Sequence, residues 1–374
     1  MKRVVKSIYA PTRYVFVADR FSNFISVTDI VSGEHVETLD FSMRPHVMEL
    51  ARDDAMLAVG SPEVSAIEFM NLRTRERRRV ELPSPVFQLF FVPQTNLVAV
   101  GLRDQVGMIS YKDFSVRIFP RRFDSDQRQT LINTYYSLLF SSFSQSFWVL
   151  DEDRPFIYHR YGGAEPLDAP WKTIDLSRHI GSGSGLGIGV ASPEDDLLAM
   201  TTDDGSEGLV YFPAQDKVLS TGPMRTVGST NEPMIMPYID AYSKHVIFAD
   251  VTGNVALFDL VNGNGKPERF RVNFSPRFVR TGWLESTWIL AGDKGIMFQS
   301  FKDPSDRKIV RFVPEVMNMW VTGDSKTALY TLDEGAPAIY RFDIRTREQL
   351  PPIRVRGVTM ASMLRMGSNN SICY

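Results

Sequence analysis

Apolar and polar positions alternate along this chain in short runs, and helical spacing is almost absent. The stretch Tyr14–Leu39, YVFVADRFSNFISVTDIVSGEHVETL, shows the pattern best: three runs of β-branched and aromatic residues separated by two tight turns. The pattern recurs in degraded form to the end of the sequence. Aligned on the second strand of each unit (b), it restarts near Val15, Leu57, Val98, Trp148, Leu198, Val246, Ile289 and Leu329, at intervals of 40 to 50 residues. An apolar run precedes each b strand from Leu57 onward and supplies strand a: Val47–Leu50, Val86–Val92, Tyr135–Phe140, Leu186–Val190, Met234–Ile239, Phe278–Trp283 and Val316–Val321. After b come a turn, strand c and a closing run d.

No single copy can bury its own apolar faces, so the copies must stack. A period of about 40–50 residues with four strands per repeat is that of propeller blades. The expectation is an all-β protein, a single β-propeller spanning residues 1–374, with eight four-stranded blades by count and seven as the alternative. Closure requires the two ends to meet. The tail Gly357–Met366, GVTMASMLRM, reads as an a strand without a blade of its own and is placed beside Val15, where Val4–Tyr9 competes for the slot. Seven of eight copies carry an aspartate at or just past the end of b (Asp19, Asp104, Asp151, Asp203, Asp250, Asp293 and Asp333), while the second copy has Gly60–Ser61 there. Aspartate accepts hydrogen bonds from its own turn backbone, so these are read as turn formers. The longer repeats carry insertions on d-to-a connections, at Arg121–Thr134, Ser177–Gly185 and Gly222–Pro233, of which the first is the expected helical turn.

The first copy, with Pro45 opening the next a strand and a turn at Arg52-Asp53-Asp54, resembles the YVTN-type repeat over about the first 60 residues. Similar turns occur at Ser192–Asp196 and Gly323–Lys326. The resemblance implies the superfamily of quinoprotein amine dehydrogenase-like propellers. That superfamily includes cofactor-free propeller subunits, bacterial lactonases and many binding proteins, so it implies fold far more than function. The Gly-His and Trp-Asp marks of WD40 blades are absent.

Composition narrows the class. A net charge of −2 is not that of a protein dominated by phosphate contacts, so nucleic acid is not the expected partner. Cys373 is the only cysteine, which excludes an intrachain disulfide and a thiolate zinc site. No run approaches the ~20 apolar residues of a membrane span. As written, the chain shows no signal peptide and is expected in the cytoplasm, with the periplasm as the alternative if a signal was removed.

Candidate chemistry is sparse. GSGSGLGIG (Gly181–Gly189) has neither dinucleotide-loop nor nucleophile-elbow spacing. His35, His46, His159, His179 and His245 form no i, i+2 or i, i+4 pair. His35 and His245 are read as surface residues. The acidic turns Asp151–Asp153 and Asp203–Glu207 do not match a calcium loop, so no metal and no cofactor is expected. Arg44, His46, Arg121, Arg122, His179, Arg225 and Arg277 all fall on d-to-a connections. They are the candidate partner- or anion-binding residues at the mouth of the channel, because arginine favours bidentate carboxylate and phosphate contacts. RTRERRR (Arg73–Arg79) lies on the other face.

The functional expectation is a non-catalytic scaffold that binds a protein partner as a subunit of a larger complex, with Phe21, Phe24 and Met224 as exposed apolar tips. Alternatives are a lactonase-like hydrolase using His46 or His179 as base with Arg44 or Arg225, and the propeller subunit of an amine dehydrogenase-type complex. A small anionic ligand is also compatible with the arginines.

Overall fold

The structure, a computed structural model, describes residues 13–18, 21–51, 56–92, 95–102, 105–120, 138–162, 169–180, 184–194, 196–224, 234–333, 337–356 and 363–366. Among them are thirty strands and one helical turn.

The first sheet joins β1 (Tyr14–Ala18), β2 (Phe24–Asp29) and β3 (His35–Asp40). The second holds β4 (Val47–Leu50), β5 (Met56–Ser61), β6 (Val64–Asn71) and β7 (Arg77–Glu81). The third holds β8 (Val86–Phe91), β9 (Leu97–Leu102), β10 (Gln105–Ser110) and β11 (Val116–Pro120). The fourth holds β12 (Leu138–Ser141), β13 (Ser146–Leu150), β14 (Phe156–Tyr161) and β15 (Lys172–Asp175), followed by the helical turn α1 (Ser177–Ile180). The fifth holds β16 (Leu186–Ala191), β17 (Leu198–Thr202), β18 (Gly208–Phe212) and β19 (Lys217–Ser220). The sixth holds β20 (Tyr238–Ile239), β21 (His245–Ala249), β22 (Asn254–Asp259) and β23 (Glu268–Arg271).

The last sheet has six strands: β24 (Ser275–Gly282), β25 (Thr287–Ser300), β26 (Arg307–Val321), β27 (Thr327–Leu332), β28 (Ala338–Asp343) and β29 (Glu348–Arg354). Two of these are double. β25 runs through a hairpin turn at Lys294, and its second part, Gly295–Gln299, pairs with Arg307–Arg311. The far part of β26, Val316–Val321, pairs instead with β27. β25 thus supplies two strands of one blade and β26 one strand to each of two, so the sheet is a pair of four-stranded blades, and the described strands make eight.

The sheet begun at the N-terminus is completed from the other end. β30 (Met363–Met366) pairs antiparallel with β1, Val15 opposite Met366 and Ala18 opposite Met363. The competing segment 4–9 lies outside the described residues.

Residues 1–102, 110–114 and 280–374 form one compact unit (unit 1), and residues 103–109 and 115–279 a second (unit 2). In each, apolar faces of consecutive sheets are buried against one another. In unit 1, Phe16, Ile25, Leu57 and Met70 pack the first sheet on the second, and Val15, Val17, Leu329 and Ile339 pack it on the last. In unit 2, Trp148, Leu150, Leu198 and Leu209 join the fourth and fifth sheets, and Val210, Val246 and Phe248 the fifth and sixth. Each fully buried Val, Leu, Ile or Phe contributes about 1.5–3 kcal/mol of transfer free energy, which is why every sheet needs a neighbour on each face. This architecture of antiparallel four-stranded blades packed face to face is the β-propeller fold.

The turns follow a rule of their own. The last residue of strand c is Asp29, Asn71, Ser110, Asp259 or Ser300, and each side-chain oxygen accepts the N–H groups two and three residues on. Asp343 does the same with the amide of Thr346. Any short side chain ending in an acceptor oxygen serves this turn. Among the b-end aspartates, Asp151 and Asp250 also hold their turns, accepting from Asp153 and Arg154 and from Thr252 and Asn254. Asp19 and Asp104 lie outside the described residues.

Gly60 explains the exception in the second copy. A Cβ there would stand 2.9 Å from Val86 Cβ and Cγ1, so the close approach of β8 to β5 requires glycine.

Candidate functional site

The inner (a) strands of unit 1 carry a polar row that sequence reading missed. Glu49 stands on β4 opposite Ala58, Gln88 on β8 opposite Gly101 and Asn318 on β26 opposite Thr331, and Arg280 lies on β24. β8 and β26 each carry a register shift just before their polar residue, between Val86 and Gln88 and between Val316 and Asn318. Such bulges re-aim a side chain relative to the regular pleat. Arg280 lays its guanidinium over the Trp320 ring, 5.2 Å from the centroid, and Trp320 stands two residues from Asn318 on the same strand. Asn318 Oδ1 is shielded from solvent and has no hydrogen-bond partner among the described residues.

Just before β4 stands a second group. The His46 amide donates to Gly60 O at 3.1 Å, which places the ring at the head of the inner strand. Its Nε2 is shielded and has no partner among the described residues. Arg44 is engaged: its Nε donates to Glu63 Oε2 at 3.1 Å, and its Nη2 also bonds that carboxylate. A hydrogen bond from Arg44, with the charge of nearby His46, holds the Glu63 carboxyl below its ordinary pKa. Arg44, one of the two arginines proposed as oxyanion donor, is thus engaged with Glu63, and the other, Arg225, lies outside the described residues.

The other candidates do not gather here. His179 lies on α1 in unit 2, its Nε2 4.0 Å from Asp216 Oδ1, and neighbouring Arg178 is paired with the same aspartate on the β18–β19 turn. Arg277 is not on a connection, because β24 begins at Ser275, three residues earlier than expected, and takes it into the strand. Arg121, Arg122 and Arg225 lie outside the described residues, as does most of the insertions at 121–134 and 222–233. The helical turn occurs at Ser177–Ile180, within another of the three insertions.

The basic run Arg73–Arg79 fastens structure. Arg75 Nη2 donates to Glu37 Oε1 at 2.6 Å, joining the β6–β7 turn to β3, and Arg79 donates to Glu81 at 2.7 Å. Arg347, on the matching turn of the last blade, is held by Asp306 at 2.6 Å.

The two histidines assigned to the surface are half-buried. His35 Nδ1 lies 3.3 Å from Ser26 Oγ and Nε2 3.3 Å from Thr38 Oγ1. Burial and the charge of Arg356 push its pKa down. His245 Nδ1 is 2.9 Å from Asp240 Oδ2. Both sit at the edge of a strand, where the pleat turns every second side chain inward.

The most perturbed histidine is His159 in unit 2. It is buried on β14, its ring 4.0 Å from that of Trp148 and 4.6 Å from that of Tyr161. Burial, with a smaller push from Lys172, brings its pKa down to about 4. His159 Nε2 and Trp148 Nε1 are both buried without a partner among the described residues. In the acidic turn, Asp204 Oδ1 accepts from Thr202 and Ser206, while burial and neighbouring Asp204 and Asp153 raise the Asp203 pKa. Among the described residues no group of three or more His, Cys, Asp or Glu is placed to hold a metal ion, and no helix is long and apolar enough to cross a membrane.

Of the expected apolar tips, Phe21 is 63% exposed, Phe24 packs against the core between the first and last sheets, and Met224 is buried between the fifth and sixth. Met224 N donates to Ser206 O, which ties its segment down. Among the described residues, the most exposed apolar tip on an a–b turn is Leu284, 68% exposed, in unit 1. Trp283, Leu284 and Glu285 have φ of 51°, 54° and 59°. Left-handed backbone is adopted by single non-glycine residues and costs about 1–2 kcal/mol at each, so three in succession persist only where the surroundings impose them. Here Trp283 N donates to Ser325 O at 2.6 Å, Ser286 Oγ donates back to Trp283 O at 2.7 Å, and Arg345 stacks over the Trp283 ring.

Blades and polar inner strands define the class as a β-propeller, and structural comparison agrees. The chain is similar to a dihydro-heme d1 dehydrogenase, NirN, solved in complex with DHE: TM-score 0.71 and 14% identity over 96% of this chain and 76% of that one. It is also similar to apo AztD from Citrobacter koseri (TM-score 0.58, 10% identity, 95% of this chain and 98% of that one). A functionally unknown protein from Desulfotomaculum acetoxidans matches with TM-score 0.54 and 9% identity over 95% of this chain and 98% of that one. No protein-family model matches the chain, and no curated protein matches it by sequence. At these identities the likeness speaks to fold alone.

Proposed function

We propose that this protein is a non-catalytic β-propeller scaffold that binds a protein partner as one subunit of a larger complex, its 374 residues acting as a single propeller domain. The observation that carries the reading is the turn at Trp283–Ser286. It presents an apolar side chain to water on a backbone held rigid by its neighbours, and a pre-ordered apolar anchor loses little entropy on docking. The reading also draws on what the polar groups are doing: Arg44, Arg75, Arg178 and Arg347 are each engaged with an acid. The YVTN-type repeat and its amine dehydrogenase-like superfamily belong with this reading, since cofactor-free propeller subunits occur there. The test is affinity capture from the native host with the wild type and Leu284→Asp in parallel. The expected result is a stoichiometric partner held by the wild type and lost by the variant with its fold intact. A partner equally held by both, or none held by either, contradicts the proposal.

A second reading rests on a different observation, the Arg280–Trp320 stack beside the shielded oxygen of Asn318. A planar, acidic small molecule would meet a cation, an aromatic face and an unsatisfied acceptor there. The similarity to a propeller solved with DHE bound supports this reading. Native mass spectrometry of the protein purified from its host would show an adduct that Arg280→Ala loses. A spectrum with no adduct under gentle ionisation refutes it.

A further inference from the structure

A pocket of about 810 Å³ opens in unit 1 where the first and last sheets meet, well removed in sequence from the Trp283 turn. Gly33, Glu34 and His35 line it from the β2–β3 turn, Pro337 from the β27–β28 turn, and Arg354, Val355 and Arg356 from the end of β29. Ile353 and Val355 are buried among the residues joining the two sheets, while Arg354, the last residue of β29, and Arg356, two residues beyond it, are exposed and line the pocket. Gly33, at φ 71°, turns the chain tightly over Ile353 and contributes no side chain to the pocket.

The neighbouring arginines are already in use. Arg13 is paired with Asp29, and Arg341 donates to Ile30 O at 3.1 Å and to Pro351 O at 2.7 Å. Neither Arg354 nor Arg356 is paired with an acid among the described residues. The lining thus holds two cations, one carboxylate (Glu34) and a histidine whose two nitrogens face hydroxyls. His35 is further flanked by Glu37, itself bonded to Arg75.

We propose that this pocket binds a small multivalent oxyanion, a phosphorylated or polycarboxylic metabolite, between the Arg354 and Arg356 guanidinium groups. Paired guanidiniums match the oxygen spacing of phosphate and carboxylate better than any other side chains. A pocket of a few hundred cubic ångströms accommodates a metabolite rather than a lone ion. The site is independent of the partner-binding reading and stands or falls without it.

Isothermal titration calorimetry of the full chain at low salt, with pyrophosphate and citrate as separate probes, tests the proposal. The expected result is saturable one-to-one binding of at least one probe, weakened about tenfold or more by Arg354→Ala or Arg356→Ala, the loss of a charge-assisted bond. Which probe binds distinguishes phosphate from carboxylate chemistry. Lys302→Ala, which removes an equal charge from an exposed turn elsewhere in unit 1, is expected to leave binding unchanged. Circular dichroism and the unfolding midpoint check that each variant folds, and Arg356→Gln replaces any that does not. Absence of saturable binding of both probes at millimolar concentration overturns the site. So does binding indifferent to the arginines, or equally weakened by Lys302→Ala.

Discussion

The inner strands of the two units are built from opposite materials. In unit 1 they carry Glu49, Gln88, Arg280 and Asn318. In unit 2, β12 presents Leu138, Leu139 and Phe140, and β16 and β20 present Ile188, Val190 and Tyr238. The backbone pattern is the same in both, since β16 carries a register shift between Leu186 and Gly189 like those of β8 and β26. Blade packing therefore does not demand polar residues at these places. The shielded Asn318 oxygen adds desolvation cost without improving the core, and that sets unit 1 apart. Unit 2 shows the converse: its unusual groups, Gly208 and His159, are explained by packing.

Four variants sharpen or break this contrast. The largest effect belongs to Gly208→Ala. A Cβ at this position would fall 2.4 Å from Phe248 Cδ1 and 2.6 Å from Cγ, with a buried ring that has no room to move. A loss of about 3 kcal/mol in denaturant unfolding is expected, the upper range for overpacking. Next comes acid sensitivity from His159. Its folded pKa, near 4, lies below the ordinary 6.5, so the unfolded chain takes up the proton first. Stability is complete above pH 6.5 and falls as pH drops toward 4, by about 3 kcal/mol at most. His159→Gln should remove that share of the pH dependence, read as the difference between urea midpoints at pH 7 and 4.5 for variant and wild type. An unchanged pH slope would mean the ring is solvated.

The third variant separates the units directly. Asn318→Leu removes a shielded, unsatisfied oxygen, so it should raise stability by about 1 kcal/mol while abolishing any adduct held at Arg280 and Trp320. If it destabilises instead, the polar row is structural and the contrast fails. The smallest effect is that of Arg347→Ala, which should cost about 0.5 kcal/mol, since its partner Asp306 is half exposed and water screens the pair. A much larger loss would make the c–d turn fasteners a main source of cohesion.

Much of the fold could be read from the residues. Strand b of every copy falls where the apolar runs placed it, and the tail beginning near Gly357 supplies the strand beside Val15. What escaped was whatever depends on shape. The c–d turn rule hides from letter-by-letter comparison because Asp, Asn and Ser offer the same acceptor oxygen. The polar residues on the inner strands are four different types at differing levels, and two of them follow bulges that no periodicity announces. Arg277 and Met224 were misplaced for a simpler reason: β24 begins before the apolar run does, and a methionine between proline and arginine gives no sign that its segment folds back onto the sheets. Leu284 lacked any sequence mark, since its exposure follows from three left-handed residues that ordinary side chains seldom adopt.

The most direct test is hydrogen–deuterium exchange on the protein alone and in the complex isolated from its host. The account predicts slowed exchange on complex formation at Trp283–Ser286, with the unit 2 tip at Phe143, itself 59% exposed, unchanged. Protection confined to unit 2, or none at the Trp283 turn, would contradict it.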